Sequence, residues 1–192
     1  MKISSCFDKN MLPALFLFPL VNCGLFFFSS NSCDWLCTQG LSNIVKQVGV
    51  FAFVAIAEEL FFRGLLFREL TFGYEVKPVL AAVIVSLLFG ALHLLNVFSY
   101  ATISYTIVQS LCAFAVSFDL SAIYYKFKSI VPCVVIHSAI NITSIGLDNG
   151  LQKLLLNDVE ITIFLMVAIL YLIHGYRLFR LEQLCIDKGE DE

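Results

Sequence analysis

The stretch AIAEELFFRG, residues Ala55–Gly64, sets two adjacent carboxylates and an arginine inside a run otherwise suited to lipid. An ionised side chain taken out of water is costly unless a partner compensates it. The surroundings decide how the stretch is read. Hydrophobic residues make up 59% of the 192-residue chain, against about 45–50% in soluble domains. Charged residues are 14%, against about 25%. With 19 Phe and a mean hydropathy of +0.88, a water-soluble fold would expose too much apolar surface. The chain therefore reads as an all-α, polytopic transmembrane helical bundle with the lipid bilayer as its solvent. Its net charge of −3 and lack of a basic stripe give no reason to expect nucleic acid as a partner.

A spanning helix needs about 20 mostly apolar residues. Windows of that size predict six spans, at 11–29, 44–70, 78–98, 100–119, 130–148 and 158–176. Gly73 and Pro78 divide the second from the third, and Asp148-Asn149-Gly150 follow the fifth. Only the break near Ser99 lacks a charge to mark it. With the N-terminus in the cytoplasm, ten of the 12 Lys and Arg fall on or near the cytoplasmic side; Lys46 and Lys153 fall outside. That bias predicts six spans with both termini inside. Residues 1–43 are then a first transmembrane helix and external loop. Residues 44–148 form a core, 149–176 the last transmembrane helix, and 177–192 a cytoplasmic polar tail, read as disordered at IDKGEDE. The apolar stretch Met11–Phe28 exceeds the usual h-region of about 7–15 residues, so it reads as a span and not a signal peptide. The seven cysteines are scattered, mostly in apolar segments. Cys33 and Cys37 have no second Cys/His pair at zinc-like spacing.

Few ionisable groups fall inside the spans. Glu59 and Arg63 stand four apart, so on a helix they share a face and pair. Glu58 is rotated about 100° from Glu59; its neighbours Val54, Ala55, Phe61 and Phe62 cannot pair with it. His93 closes FGALH, with Phe89 one turn earlier on its face. His137 opens HSAIN, with Asn141 one turn later. Each histidine taken alone has a purely structural reading, as a hydrogen-bonded helix contact. Together, Glu58, His93, His137 and Asn141 form a set that one bundle interior can collect. If the second span stays helical to about Leu70, Glu58, His93 and His137 agree in depth within about 8 Å at a rise of about 1.5 Å per residue. Asp119, Glu160 and His174 read as span-end residues that snorkel to the headgroups. Arg68 and Glu69 read as interfacial.

EELFFRG (58–64), FGALH (89–93) and HSAIN (137–141) resemble, in order and without substitution, the EExxxR, FxxxH and HxxxN motifs of the CPBP intramembrane protease family. That family includes type II CAAX prenyl endopeptidases and bacterial proteins linked to bacteriocin processing and self-immunity. The resemblance covers roughly residues 44–146. It implies an abortive-infection-type helical bundle in a membrane, expected to be a bacterial cytoplasmic membrane, that cleaves a peptide or membrane-protein substrate. Carried over by position, Glu58 and His93 activate water, His137 and Asn141 stabilise the oxyanion, and Glu59 supports the site through Arg63. The chemistry agrees. A carboxylate in a low-dielectric site can act as general base or acid near neutral pH. A neutral imidazole and an amide can donate to a developing oxyanion.

Two questions stay open at this level. One Glu and two His can hold a divalent metal such as zinc and leave room for water. The HExxH spacing is absent, however, and a metal-free glutamate mechanism uses the same residues. The function also has rivals. A proton-coupled transporter could use Glu58, His93 and His137 as a relay, although no inverted repeat accompanies them. A non-catalytic membrane immunity or scaffold protein would more readily have lost a motif residue. Replacing Glu58 by Gln separates the three: it abolishes peptide cleavage, alters proton coupling, or changes nothing.

Overall fold

The computed structural model describes Leu20 and residues 40–99, 102–151 and 158–189, and these are almost entirely helical. The span expected at 11–29 (save Leu20) and the Cys33/Cys37 pair lie outside the described residues. α1 covers Leu41–Glu59. It does not stop at the charged motif. The helix widens to π geometry over Leu60–Phe67 and Glu69–Gly73, so one rod carries Glu58, Glu59 and Arg63. The depth argument required helix to about Leu70, and the rod satisfies it.

A tight turn follows, with Glu75 at φ 55°. α2, Pro78–His93, opens on a proline, whose missing N–H has no helical partner at that position anyway. After His93 the chain tightens into a 3-10 helix, Leu94–Ser99. α3, Ile103–Phe127, is capped by Thr102, whose side chain accepts from the Tyr105 N–H. It ends at Lys128, which takes the left-handed conformation (φ 50°) and returns its N–H to Tyr124 O at 2.8 Å. That conformation suits Gly better than Lys. Cation–π contacts of the ammonium with Tyr125 (3.6 Å) and Phe72 (4.8 Å) help hold it there. α4 covers Val131–Leu151 and α5 Asp158–Gly189.

α3 is the hub. Every residue from Ala115 to Ile123 is buried, as expected for a helix surrounded on all faces. It packs chiefly on α2 and α5, while α1 packs chiefly on α4. Glycines allow the closest approaches. A Cβ at Gly90 would lie 3.0 Å from Ser110 O, and one at Gly175 would lie 2.9 Å from Asp119 Cα. Among the described residues three stretches are long and apolar enough to cross a membrane: Pro78–Phe98, Ile103–Phe127 and Ile161–Gln183. Val131–Thr143 is a shorter apolar helix. Their outward faces carry Leu87, Leu88, Leu92, Ile107, Leu111, Ile169 and Leu170, all exposed, as a lipid-facing surface should be.

Two expected boundaries were too short. The fourth span does not end at Asp119 but runs to Phe127, and the last helix runs past 176 to Gly189. Loss of hydropathy marks where a helix leaves lipid. It does not mark where the helix ends, because Lys, Arg and Glu are good helix formers. Of the tail expected to be disordered, residues up to Gly189 are helical and the last three lie outside the described residues.

Candidate active site

The site begins with a fully buried ion pair. Arg63 Nη1 donates to Glu59 Oε1 at 2.7 Å, and both side chains are 0% exposed. The i,i+4 spacing survives because both residues sit on the one rod. Arg63 Nη2 donates to the Ser117 carbonyl at 2.9 Å, which ties the rod to α3. Ser121 Oγ bonds the same carbonyl at 2.9 Å. Phe89 lies beneath the guanidinium, 5.4 Å from Cζ to ring centroid. Compensation of Arg63 therefore uses a carboxylate, a backbone dipole and a ring face together.

His137 docks onto this pair from α4. Its Nδ1 lies 2.7 Å from Glu59 Oε1, the oxygen that also accepts from Arg63. An ion-paired carboxylate can only accept, so Nδ1 carries the proton and Nε2 faces the opposite way. Nε2 lies 3.4 Å from Glu58 Oε2. Glu58 is 32% exposed while Glu59 is not exposed at all. One step along a helix thus separates a sealed carboxylate from an accessible one. This geometry bears on the expectation that a neutral His137 donates to an oxyanion. With Nδ1–H spent on Glu59, a neutral ring offers Nε2 as a lone pair. Donation from Nε2 requires the imidazolium.

His93 joins through an aromatic contact. Its Nδ1 lies 2.8 Å from Phe89 O, one turn back on α2, which directs Nε2 away from that helix. The Phe89 ring centroid is 4.7 Å from that of His93 and 5.7 Å from that of His137. Phe62 meets Phe89 edge to face at 4.9 Å. Phe89, 2% exposed, thus touches both imidazoles, Phe62 and the guanidinium, and fills the space between them. Asn141 is half-buried on α4, one turn beyond His137 on its face. Among the described residues no hydrogen bond joins Glu58 directly to His93, or Asn141 to any of the other groups.

Of the residues expected to act, Glu58, Glu59, Arg63 and His137 are in direct contact. His93 reaches them through Phe89, and Asn141 shares a face with His137. Sequence reading did not assign roles to Phe89 as a wedge or to the Ser117 carbonyl. The signal for Phe89 was present as its one-turn spacing from His93. Nothing in the sequence marks a backbone carbonyl. Arg68 and Glu69 are exposed at the far end of the rod, in keeping with an interfacial place. Asp119 and His174 do not sit at span ends. Asp119 is 0% exposed in mid-helix, and His174 Nδ1 lies 2.6 Å from its Oδ1. The correction follows from the longer α3 and α5, which carry both residues inward. The side chain of Glu160 lies outside the described residues.

Among the described residues no three His, Cys, Asp or Glu side chains stand together as a metal-ligand set, so the expected Glu-His-His set is not assembled. Both imidazoles commit Nδ1 to the protein, which leaves Nε2 as the nitrogen facing the site. No step below is routed through a metal.

Residues 40–143, more than half of the chain, match the family model described as type II CAAX prenyl endopeptidase Rce1-like. No curated protein and no solved structure matches. The matched residues contain all three motifs and the helices α1 to α3 that carry most of the site. Membrane-length helices and the family match agree, and the chain belongs to the Rce1-like family of type II CAAX prenyl endopeptidases, which are integral-membrane proteases.

Proposed function

We propose that this protein is an intramembrane endopeptidase that hydrolyses a peptide bond of a membrane-associated substrate with water activated by Glu58. The substrate is a prenylated C-terminal peptide, a leader peptide or a small membrane protein. The bundle has six spans with both termini in the cytoplasm, in a bacterial cytoplasmic membrane. Glu58 takes the proton of the attacking water, assisted by His93. Water attacks the carbonyl carbon and the oxygen becomes an oxyanion. His137, charged against Glu59, donates from Nε2, and the Asn141 amide donates beside it. The proton held by Glu58 passes to the leaving amine, the C–N bond breaks, and a carboxylic acid and an amine depart, the acid losing its proton to water. Glu59 and Arg63 touch no substrate in this scheme; they hold the His137 tautomer and ring angle.

One observation carries the reading. A partly exposed Glu58 Oε2 stands 3.4 Å from the outward nitrogen of a histidine whose inward nitrogen is locked at 2.7 Å to a buried ion-paired carboxylate. A base, an oriented imidazole and the group that orients it are the elements of hydrolytic sites built on unrelated folds. A purely structural cluster has no need of a second carboxylate open to solvent.

The test compares membranes holding wild type and Glu58→Gln by terminal-peptide mass spectrometry. A farnesylated and an unmodified CaaX peptide are added in parallel, with and without a chelator. New termini in the wild type alone support the reading. Identical termini in both membranes refute it.

A further inference from the structure

The second buried acid–base pair lies outside every motif. Asp119 and His174 join α3 to α5 at 2.6 Å, with Asp119 wholly buried and the His174 side chain 17% exposed. α5 lies beyond the residues matched by the family model, which end at 143. The helices approach too closely here for a Cβ: one on Gly175, the residue after His174, would meet Asp119 Cα at 2.9 Å and Asp119 Oδ1 at 3.2 Å. A buried carboxylate in a lipid-facing bundle is expensive. If α5 were needed only for packing, an apolar contact would serve at least as well.

What lies next to Asp119 gives the pair a purpose. Two residues earlier on α3 is Ser117, whose carbonyl accepts from Arg63 Nη2 at 2.9 Å. From there the contacts run without a break. Arg63 reaches Glu59 at 2.7 Å, Glu59 reaches His137 at 2.7 Å, and His137 reaches Glu58 at 3.4 Å. We propose that the Asp119–His174 pair is a positioning element for the reaction: it fixes the segment of α3 whose Ser117 carbonyl holds Arg63, and through Arg63 sets the angle of His137 against Glu58. The inference rests on the reading of Glu58 and His137 given above, and it extends the functional unit to α5. Asp119 and His174 touch no substrate. They act on turnover and not on binding.

The experiment uses the full-length protein in detergent and in vesicles. His174→Phe keeps a ring and removes the donor; His174→Asn restores a donor N–H where Nδ1 stood. His174→Phe is expected to lower kcat about tenfold at unchanged KM, since small displacements of a positioned group carry penalties of that order. His174→Asn is expected to recover kcat to within about twofold of wild type. Should His174→Phe fail to accumulate because it strands a buried carboxylate, the double variant Asp119→Leu/His174→Leu removes charge and partner together. The same loss of kcat is expected from it. Wild-type kcat in either variant, or a loss that His174→Asn does not rescue, overturns the proposal. A cycle of melting temperatures for His174→Phe, Asp119→Asn and each combined with Glu59→Gln is independent of turnover. Non-additivity of about 2–4 °C is expected for connected sites of this chain length. Additive shifts would overturn the coupling. If the wild type cleaves nothing, the endopeptidase reading fails by itself, and this cycle alone decides whether α5 is coupled to the Glu59 cluster.

Discussion

Glu58→Gln and Glu59→Gln are the same chemical change at adjacent residues, and the structure assigns them opposite signatures. Glu59 is 0% exposed and accepts from both Arg63 and His137 at 2.7 Å. Neutralising one partner of a buried ion pair costs about 3–5 kcal/mol. For a chain of this length each kcal/mol moves Tm by about 2–4 °C, so Glu59→Gln should lower Tm by about 6–20 °C. Glu58 is 32% exposed, with its closest ionic contact at 3.4 Å. The near-isosteric Glu58→Gln should therefore change stability by less than about 0.5 kcal/mol, or about 1–2 °C. Turnover reverses the order of clarity. Loss of a general base costs about 10²–10⁴ in rate, and Glu58→Gln should show that loss in a protein that melts like wild type. The assay is one detergent preparation of each variant, divided between a circular-dichroism melt at fixed scan rate and a peptide-cleavage time course. A Glu59→Gln protein that melts with wild type, or a Glu58→Gln protein that cleaves at the wild-type rate, refutes the division of labour between the two carboxylates.

Asn141→Ala should lower kcat about 10²–10³-fold, the usual cost of one oxyanion donor, with no change in the melt; an unchanged kcat would remove Asn141 from the site. Phe89→Leu keeps an apolar side chain but loses ring contacts with both imidazoles and with Arg63. It should cost about 1–3 kcal/mol in melts and lower kcat more than KM changes. Gly90→Ala must push against Ser110 O at 3.0 Å and Phe114 Cβ at 3.2 Å, so a destabilisation of about 1–3 kcal/mol is expected from overpacking. Because no ligand set converges among the described residues, chelation should leave peptide cleavage unchanged; a chelator-sensitive rate restored by zinc would overturn that expectation.

What the sequence disclosed and what it hid divide by range. Composition was enough for an all-α membrane bundle, because no soluble core absorbs this much apolar surface. The Glu59–Arg63 pair was legible because four residues on a helix is a local distance. The partner of Glu58 was not, since His137 approaches from a helix nearly 80 residues away and nothing in the spacing of either motif reports the other. The π geometry of Leu60–Gly73 left no mark in the sequence either. Widened turns of this kind are frequent at functional sites, but LFFRGLLF reads as ordinary helix. Asp119 and His174 were misplaced for a different reason. Hydropathy windows closed α3 and α5 early, so two residues at the heart of their interface were read as span ends.

The order of the two carboxylates follows from which of them the bundle seals. Glu59 Oε1 accepts from Arg63 Nη1 and lies 2.7 Å from His137 Nδ1, with the Glu59 side chain wholly buried. Glu58 Oε2 stands 3.4 Å from His137 Nε2, and the Glu58 side chain is 32% exposed. Under the proposed mechanism the exposed carboxylate handles the proton of the attacking water, and the sealed one fixes the imidazole beside it. Exchanging the roles of the two glutamates would seal the base behind Arg63 and leave the imidazole without an anchor.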